Sequence, residues 1–376
     1  MFIELHMIQS FAPSNLNRDD TGNPKDTEFG GVRRARISSQ SLKRAIRLNP
    51  AFKESTGVKP AVRTRLLARK LAEKLIEAGK PRDEADAVAQ AFAAEYSGKM
   101  DKGHTSVLLY LSDDEIQMMA DGLIAQWDEM LAAATNPGDK KNKSDSPFAP
   151  LVKKLIKETK NRTSAPDIAL FGRMLADKPD LNLDAACQVA HAISTHRVSM
   201  EIDFFTAVDD LQEESETGAG MMGVTPFNSA CFYRYARIDW DQLVKNLDGD
   251  VDLARKTVEG FLKASLRAIP TGKQNSFAAQ NPPSLALAVV RDDGMSWSLA
   301  NAFEKPVRPR NDGGYVVPSI ERLDGYWGRL TKVYGGDPKP FVLQLEEEPP
   351  LKSLAGAEQP NAEKWVQAVL NELPKE

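Results

Sequence analysis

Seven basic side chains lie between residues 29 and 53, in a stretch that contains no acidic residue. They are Arg33, Arg34, Arg36, Lys43, Arg44, Arg47 and Lys53. Ser38 or Ser39 can cap a helix that begins here, and the free N–H groups of a helix start favour phosphate. By i, i+3, i+4 spacing, one face of that helix carries Gln40, Lys43, Arg44 and Arg47. The stretch predicts a polyanion-binding surface, with a solvated basic helix as the open alternative.

A second candidate site is the loop Asn17–Asp20, which places two carboxylates beside Arg18. Paired aspartates can bind Mg²⁺ or act as acid and base, so Asp19 and Asp20 define an enzymatic alternative. Asx side chains in loops more often bond their own backbone. We therefore expect a local turn and no catalytic residue, and the enzymatic alternative stays open.

Two further stretches combine residues that suit contacts with RNA. Met221 and Met222 lie between two glycines, in a passage too polar to be core. They are either incidental residues of a loop tip or an apolar wedge on a hairpin that meets stacked bases or another subunit. Lys273 and Gln274 begin a loop that suits backbone and base contacts, although many loops have a similar composition.

Cys187, His191 and His196 are near one another in sequence, as metal ligands often are. A fourth ligand is missing, and the separation of five residues between the histidines is poor for one helical face. We expect structural or hydrogen-bonding roles for these side chains, and neither a metal nor a cofactor. The two cysteines lack paired spacing, so the sequence does not indicate a disulfide framework.

Charge is distributed unevenly along the 376 residues, whose formal net charge is −4. Residues 1–80 contain sixteen Lys and Arg against eight Asp and Glu, a local charge of +8, so the remaining chain carries −12. A basic segment on an acidic body is typical of a defined nucleic-acid track with other surfaces free for other partners. No apolar run approaches the length of a membrane span, and the first residues lack signal-peptide features, so we expect a cytoplasmic protein without a membrane partner.

The elements that must position these residues alternate between strand and helix. The periodicity predicts, in order, a strand over 2–9, the basic helix, a run of helices over 58–165 with a capping box at Ser112–Glu115, a helix over 182–195, strands over 198–208 and 229–238, a helix over 251–268 and a hairpin at Asp292–Gly294. Apart from the helical insertion, this order matches the βαββαβ core of a ferredoxin-like α+β fold.

Several runs of the sequence together resemble the CasC family, the backbone subunit of the type I-E CRISPR surveillance complex called Cascade. The resemblance covers nearly the whole chain and is weakest in the helical insertion. It is carried by Asn17–Asp20, Phe29–Gly31, Arg36–Ala45, Asp167–Leu170, Gly172–Met174, Ala190–Ile193, Thr195–His196, Phe205–Leu211, Phe232–Ala236 and Leu299–Lys305.

The resemblance implies a hand-shaped subunit with a ferredoxin-like (modified RRM) palm, helical fingers and a β-hairpin thumb. On this sequence the palm is discontinuous and covers residues 1–57 and 166–346. The fingers insertion covers 58–165, and the thumb covers 203–230 within the palm. A C-terminal tail follows at 347–376.

The resemblance also implies sequence-independent binding of CRISPR guide RNA (crRNA) by copies that polymerise head to tail. Each thumb would kink the guide and flip out a nucleotide at regular intervals, leaving the other bases for pairing with a target DNA strand in antiviral defence. The implied partners are crRNA, further copies of the chain, other Cascade subunits and the target strand. The family subunit is not a nuclease. Backbone subunits of type III complexes do cut target RNA with a loop aspartate, which keeps Asp19 and Asp20 as the enzymatic alternative.

Residue by residue, the resemblance places guide phosphates along 38–47, with Gln40 and Lys43 as the best matches. It makes Met174 and Met222 the apolar contacts at the kink, whereas Val32 stands where the family has a basic residue. An acidic thumb base would meet protein rather than RNA: Asp209, Asp210, Glu213 and Glu214. The complete set of expected RNA-binding residues is Arg18, Lys25, Arg33, Arg34, Arg36, Ser38, Gln40, Lys43, Arg44, Arg47, Met174, Met222, Lys273 and Gln274.

Overall fold

The structure is a computed structural model that describes residues 1–98, 100–135, 146–175, 179–207, 221–292, 294–346 and 350–375. The chain divides into two compact units. Unit 1 contains Met1–Ser55, Gln188–Trp240 and Val258–Glu376, and unit 2 contains Thr56–Cys187 and Asp241–Thr257. Two segments that the sequence analysis assigned to the palm, 166–187 and 241–257, therefore group with the helical unit.

Thirteen strands and thirteen α-helices lie within the described residues. The strands are β1 (Phe2–Ser14), β2 (Asp26–Phe29), β3 (Val32–Ile37), β4 (Val62–Thr64), β5 (Met100–Asp101), β6 (His104–Thr105), β7 (Leu109–Leu111), β8 (Cys187–Val189), β9 (Ala192–Ser194), β10 (Glu201–Ala207), β11 (Met221–Asp239), β12 (Leu285–Arg291) and β13 (Lys339–Gln344). The helices are α1 (Ser39–Leu48), α2 (Pro50–Thr56), α3 (Leu67–Glu77), α4 (Arg82–Ser97), α5 (Asp113–Ala125), α6 (Trp127–Thr135), α7 (Phe148–Glu158), α8 (Pro166–Phe171), α9 (Trp240–Asn246), α10 (Val251–Arg267), α11 (Gln274–Phe277), α12 (Val316–Tyr334) and α13 (Ala362–Asn371).

Unit 1 is built on an antiparallel sheet in which the described strands follow the order β13-β12-β1-β11-β9-β3-β2. Its centre is β1, which pairs with β11 along one side and with β12 along the other. Taken as core strands in chain order, β1, β9, β11 and β12 lie in the order 4-1-3-2 across the sheet. With α1 after the first core strand and α10 before the last, this is the ferredoxin-like arrangement. The predicted α+β fold class is confirmed.

The sheet carries a hydrophobic layer on each face because β1 and β11 bury residues of both parities. On one face Phe11, Leu42 and Phe232 belong to a cluster that lies under α1. On the other face Ile8 and Tyr233 pack in a cluster that includes Trp327 of α12. Two covered faces hold the sheet as a rigid platform, so the loops at its ends have fixed positions.

The segment 182–195 is extended, so the helix predicted there is wrong. It contains β8 and β9, and β9 pairs with β3 through Arg36 and Ile37 and with β11 through Phe232 and Tyr233. The three residues of β9 form their hydrogen bonds with strands that are distant in sequence. This tertiary pairing overrides the helix-like spacing within the segment.

The hairpin predicted at Asp292–Gly294 is also wrong, because β12 pairs with β13 and not with the residues that follow it. Asp293 lies outside the described residues. The next backbone donors bond side chains beneath the sheet: the Trp297 amide donates to Glu4 Oε1 at 2.5 Å and the Leu299 amide to the Tyr233 hydroxyl at 2.8 Å. A short 3₁₀ helix, Leu299–Phe303, then packs in the hydrophobic layer.

The C-terminal tail, in its described part 350–375, packs against the sheet. Val342 of β13 donates to the Ala357 carbonyl at 2.8 Å and accepts from the Gln359 amide at 2.7 Å. The Trp365 indole of α13 donates to the Phe341 carbonyl at 2.9 Å. These bonds cover the outer edge of β13, which would otherwise offer unpaired backbone groups.

Unit 2 is helical, with α3, α4, α5 and α7 around a core that includes Leu71, Phe92, Leu123 and Phe148. The predicted capping box is present, since Ser112 Oγ accepts from the Glu115 amide and Glu115 accepts from the Ser112 amide. Asp167 shows why 166–187 groups here: its buried carboxylate accepts from the Ala61 amide at 3.0 Å and from the Tyr110 hydroxyl at 2.8 Å.

None of the helices in the described ranges combines the length and the apolar character that crossing a membrane requires.

Candidate nucleic-acid interface

Three neighbouring arginines of the β2–β3 hairpin in unit 1 differ in how deeply they are buried. Arg34 is fully buried, Arg33 is exposed and Arg36 is half-buried. The Arg34 guanidinium donates to four backbone carbonyls at 2.8–3.2 Å, those of Phe29, Ser194, Phe303 and Glu304. Four of its five N–H donors are thus occupied by backbone carbonyls, which leaves Arg34 little capacity for phosphate. Arg34 therefore holds the hairpin in place, and its expected RNA contact stays a prediction that this burial does not favour.

Helix α1 carries the predicted polar face on a firmly packed apolar one. Ser38 is the N-cap, with its Oγ accepting from the Ser41 amide at 3.3 Å, while Leu42 and Ile46 are buried. Gln40 and Arg44 are exposed and Lys43 is half-buried. Arg47 is only 7% exposed, so its expected contact with RNA stays a prediction that its burial does not favour. The helix places Gln40 in its first turn, where backbone N–H groups add attraction for phosphate, and Lys43 and Arg44 about one turn further along.

The loop between β1 and β2 is tied to this helix. Asn17 accepts from the Ser38 amide at 2.8 Å, and the Lys25 carbonyl accepts from the Arg36 amide at 2.9 Å. These bonds set Arg18 and Lys25 in a fixed frame with β3 and α1. Arg18 is exposed and Lys25 is half-buried. We call the exposed and half-buried members of this frame the basic surface: Arg18, Lys25, Arg33, Arg36, Gln40, Lys43 and Arg44.

Asp19 bonds its own loop. Its Oδ1 accepts from the Thr21 amide at 3.0 Å, the Thr21 hydroxyl at 2.8 Å and the Asn23 amide at 2.8 Å. The bond from the Thr21 hydroxyl, with those from the backbone, holds the pKa of Asp19 below its usual range. This is the Asx turn that the sequence favoured. Within the described residues, no group of three or more His, Cys, Asp and Glu is placed to hold a metal ion.

The loop that contains Lys273 and Gln274 packs against the start of the β1–β2 loop. At Gly272 a Cβ atom would lie 2.3 Å from the Leu16 carbonyl oxygen, so only glycine allows this approach. Gln274 donates to the Pro270 carbonyl at 3.1 Å and so shapes its own loop. Lys273 is half-buried, with a positive φ of 50°. The loop thus adds a cation beside the basic surface.

Asn15 connects the same region to the root of a hairpin formed by β10 and the first part of β11. The Asn15 amide donates to the Gly22 carbonyl at 3.0 Å and to the Pro226 carbonyl at 2.9 Å. At the same place, the Phe227 and Phe277 rings lie 5.6 Å apart. The hairpin is therefore anchored beside the basic surface.

The hairpin itself is exposed and apolar. In its described parts, 201–207 and 221–227, Phe204 pairs with Val224 and Thr206 with Met222. Because directly paired residues point to one face, the side chains on this face are Ile202, Phe204, Thr206, Met222, Val224 and Pro226. Met222 is 68% exposed and Phe204 61%. The acidic residues expected at the thumb base, Asp209, Asp210, Glu213 and Glu214, lie outside the described residues.

His191 and His196 have different environments. His196 is buried, stacks on Tyr315 with ring centroids 3.7 Å apart, and accepts from the Cys231 amide at 3.1 Å. Burial lowers its pKa. Its role is the hydrogen-bonding one that we expected. His191 is exposed and its Nδ1 lies 3.0 Å from Arg36 Nη1, so it lies on the basic surface.

Comparisons with known proteins place this arrangement in a family. The chain matches the model of the CT1975-like protein family over residues 3–368. It belongs to the CT1975-like family. Among solved structures, a chain of a CRISPR RNA-guided surveillance complex in a pre-nicking state is 35% identical, with a TM-score of 0.85 and 99% of both chains covered.

A chain of a second CRISPR RNA-guided surveillance complex is 30% identical to this CT1975-like chain, with a TM-score of 0.76 and coverage of 99% of this chain and 100% of that one. No curated protein gives a significant match. The resemblance to the Cascade backbone subunit, first noted from sequence motifs, is thereby confirmed.

Met174 of this CT1975-like chain belongs to unit 2, where it is 88% exposed. It borders a cleft of about 660 Å³ whose lining includes Arg63 and Tyr110. The preceding Arg173 is buried and donates to Glu115 Oε1 at 2.7 Å and to the Leu181 carbonyl at 2.7 Å. This anchoring leaves Met174 as an apolar side chain directed to solvent, which suits contact with a base.

Two features of the family member's site were missed from the sequence. One is His191, whose exposed imidazole joins the basic surface. The other is the partner of Gly30: its two-glycine turn indicated a close backbone approach, and the structure shows the Glu304 carbonyl oxygen 1.7 Å from the position of a Cβ atom there. The run Ala190–Ile193 alternates small and larger residues in the manner of a strand, and this period was the available signal for His191.

Proposed function

We propose that the chain is the guide-RNA-binding backbone subunit of a type I-E CRISPR surveillance complex. The observation that carries this proposal is the basic surface, in which exposed cations lie beside the start of α1 on a rigid sheet. Such a surface holds phosphates and leaves base edges unread, as sequence-independent binding requires. The 35% identity to a chain of a CRISPR RNA-guided surveillance complex supports RNA as the polyanion.

In this proposal copies of the chain assemble head to tail along the crRNA, next to other subunits of the complex. The apolar face of the β10–β11 hairpin and the exposed Met174 contact bases at regular intervals, kink the guide and flip one nucleotide out. The bases between kinks remain available for the target DNA strand in antiviral defence. The exposure of Met222 and Met174 supports this role, because apolar side chains that lack an intramolecular layer need another surface to cover them.

The test uses the purified chain and labelled single-stranded guide RNAs of two unrelated spacer sequences. Lys43→Ala is expected to weaken binding of both guides alike and to lower the salt slope by about 0.7, one phosphate contact on a single strand. Lys364→Ala is the matched control, because α13 packs at the opposite edge of the sheet from β3. A loss confined to one spacer sequence, or an unchanged slope, contradicts the proposal.

Mass measurement with and without guide tests assembly, since a chain that binds RNA only as a monomer cannot form a backbone.

We also infer that the chain is not the nuclease, and the Asx turn of Asp19 supports this. The assembled complex, given Mg²⁺ and complementary RNA, is expected to leave that RNA intact. Regularly spaced cuts that Asp20→Ala abolishes would establish the enzymatic alternative instead.

A further inference from the structure

His191 lies among cations on the basic surface. Its Nδ1 is 3.0 Å from Arg36 Nη1, and the Lys25 carbonyl binds the Arg36 amide at 2.9 Å, so the three residues share one fixed frame. Among the described residues, no carboxylate forms an ion pair with Lys25, Arg36 or His191. The nearby carboxylate is that of Asp26, which pairs with Arg33 at 3.2 Å. The three basic groups thus face solvent without an anionic partner.

The contact with Arg36 determines the tautomer of the imidazole. A guanidinium carries donors only, so Nδ1 of His191 must accept. In the neutral ring the proton is then on Nε2, which is left as a donor. Arg36 is itself held by the bond from its Nε to the Asp26 carbonyl at 3.1 Å. The ring is therefore oriented by β3, with a preset N–H group beside two cations.

We propose that His191, Lys25 and Arg36 form a phosphate-binding site for the guide RNA, in which His191 Nε2 donates to a phosphate oxygen. This proposal rests on the proposed function and adds a residue and a ligand class to it. An N–H donor and two cations match the several acceptor oxygens and the negative charge of a phosphodiester. A carboxylate is a weaker match, because it is a single anion. Single-stranded RNA offers a row of linked phosphates, of which one can occupy this site while others meet the rest of the basic surface.

The site makes guide binding depend on pH. In the free protein the partial desolvation of the ring lowers the pKa of His191, and Arg36 and Lys25 lower it further by repulsion. A bound phosphate opposes that repulsion and raises the pKa, so the complex takes up a proton more readily than the free chain. That proton goes to Nδ1, which then becomes a donor and loses its bond from Arg36 Nη1. By linkage, affinity for the guide rises as pH falls through the pKa of the bound state and is constant well above it.

The test measures binding of a labelled single-stranded RNA of mixed sequence at about pH 8 and about pH 6, on either side of the ordinary histidine pKa. At the higher pH, His191→Ala is expected to weaken binding roughly ten- to a hundredfold, the effect of one hydrogen bond to a charged acceptor. The salt slope should not change there, because a neutral donor releases no counterion. Near pH 6 the wild-type slope should steepen, by at most about 0.7, and that of the variant should not.

His191→Gln separates the donor from the charge, since its amide can donate but cannot titrate. It is expected to bind better than His191→Ala at the higher pH and to show no steepening at the lower one. His191 is exposed, so neither variant should alter thermal unfolding. Wild-type affinity for both variants at both pH values would overturn the proposal.

Proton NMR of the His191 ring gives a second readout. Its titration should move to higher pH when RNA is added, and an unmoved titration also overturns the proposal. Inorganic phosphate alone serves as a separate arm: if it shifts the ring fully and RNA does not compete with it, the site takes free phosphate and not the guide. Lys43→Ala distinguishes failure of the histidine site from failure of the proposed function. If Lys43→Ala loses binding and His191→Ala binds normally, only the histidine site is rejected.

Discussion

The basic segment 29–53 and the β10–β11 hairpin lie in the same unit and differ in what holds them. The basic segment is fixed from beneath: Arg34 bonds four carbonyls, Ser38 caps α1 and Leu42 is buried. The hairpin has ladder bonds between its own strands, and every residue of β10 is exposed. One region presents charge on a packed frame, and the other presents apolar side chains that await a partner.

The difference indicates that the two regions have separate roles: the basic segment binds the RNA backbone, and the hairpin deforms the RNA. A phosphate grip needs cations at fixed spacing, so its positions must be set by buried bonds before RNA arrives. A wedge acts by inserting apolar surface between bases, so its side chains must stay uncovered in the free chain. The comparison predicts that substitutions beneath the basic segment lower stability strongly, whereas substitutions on the hairpin face change RNA geometry with little effect on stability.

The largest effect is expected from Arg34→Met. The change leaves buried carbonyls of Phe29, Ser194, Phe303 and Glu304 without their donor. Loss of four bonds from a charged donor should lower the free energy of unfolding by about 5 kcal/mol, measured by urea denaturation.

Arg33→Met is the matched control for Arg34→Met. Its exposed pair with Asp26 at 3.2 Å should contribute at most about 1 kcal/mol. Equal stability of the two variants would mean that the buried guanidinium does not hold the frame, and the contrast between the two regions would lose its basis.

A smaller effect is expected at the turn of the β2–β3 hairpin, where Gly30→Ala and Gly31→Ala form a matched pair. Both glycines have positive φ, 62° and 72°, so each alanine variant bears a backbone cost of about 1–2 kcal/mol. Only at Gly30 would the new Cβ atom collide with the Glu304 carbonyl oxygen, since nothing lies within 4 Å at Gly31.

Gly30→Ala should therefore be less stable than Gly31→Ala by about 2 kcal/mol in the same denaturation experiment, because a backbone carbonyl must move. Guide affinity should fall with it, since the residues 303–304 also bind Arg34. If the two variants have equal free energies of unfolding, the close approach of the turn to Glu304 is not needed to hold the β2–β3 hairpin in place.

Much of the fold was accessible from the sequence because strong periods report local structure. The periods of α1, α10 and the first strand are long enough to indicate their type. The strand β9 was not accessible, since three residues form a strand only when β3 and β11 supply partners from distant parts of the chain. For β12 the strand itself was indicated over 285–290, but its partner was not, because β13 follows α12.

The site was predictable in composition and less so in detail. Residue types indicate a polar, basic helix face, and α1 carries Gln40, Lys43 and Arg44 outside its buried side. The sequence does not distinguish Arg33 from Arg34, because burial of Arg34 depends on carbonyls of residues far along the chain. His191 escaped because its neighbours were assigned to a helix, which would have turned it away from Arg36.

The smallest effect on stability is expected on the hairpin, where Met222→Ser and Met221→Ser make the sharpest pair. The two residues are adjacent, both are more than half exposed, and they point to opposite faces, so neither change should alter the free energy of unfolding by more than about 0.5 kcal/mol. Only Met222 shares its face with Phe204 and Val224. In the assembled complex, Met222→Ser should therefore reduce the regular chemical reactivity of flipped guide nucleotides, while Met221→Ser preserves it. Equal reactivity in the two variants would mean that the apolar face does not act as a wedge between bases, and that the hairpin instead contacts another copy of the protein.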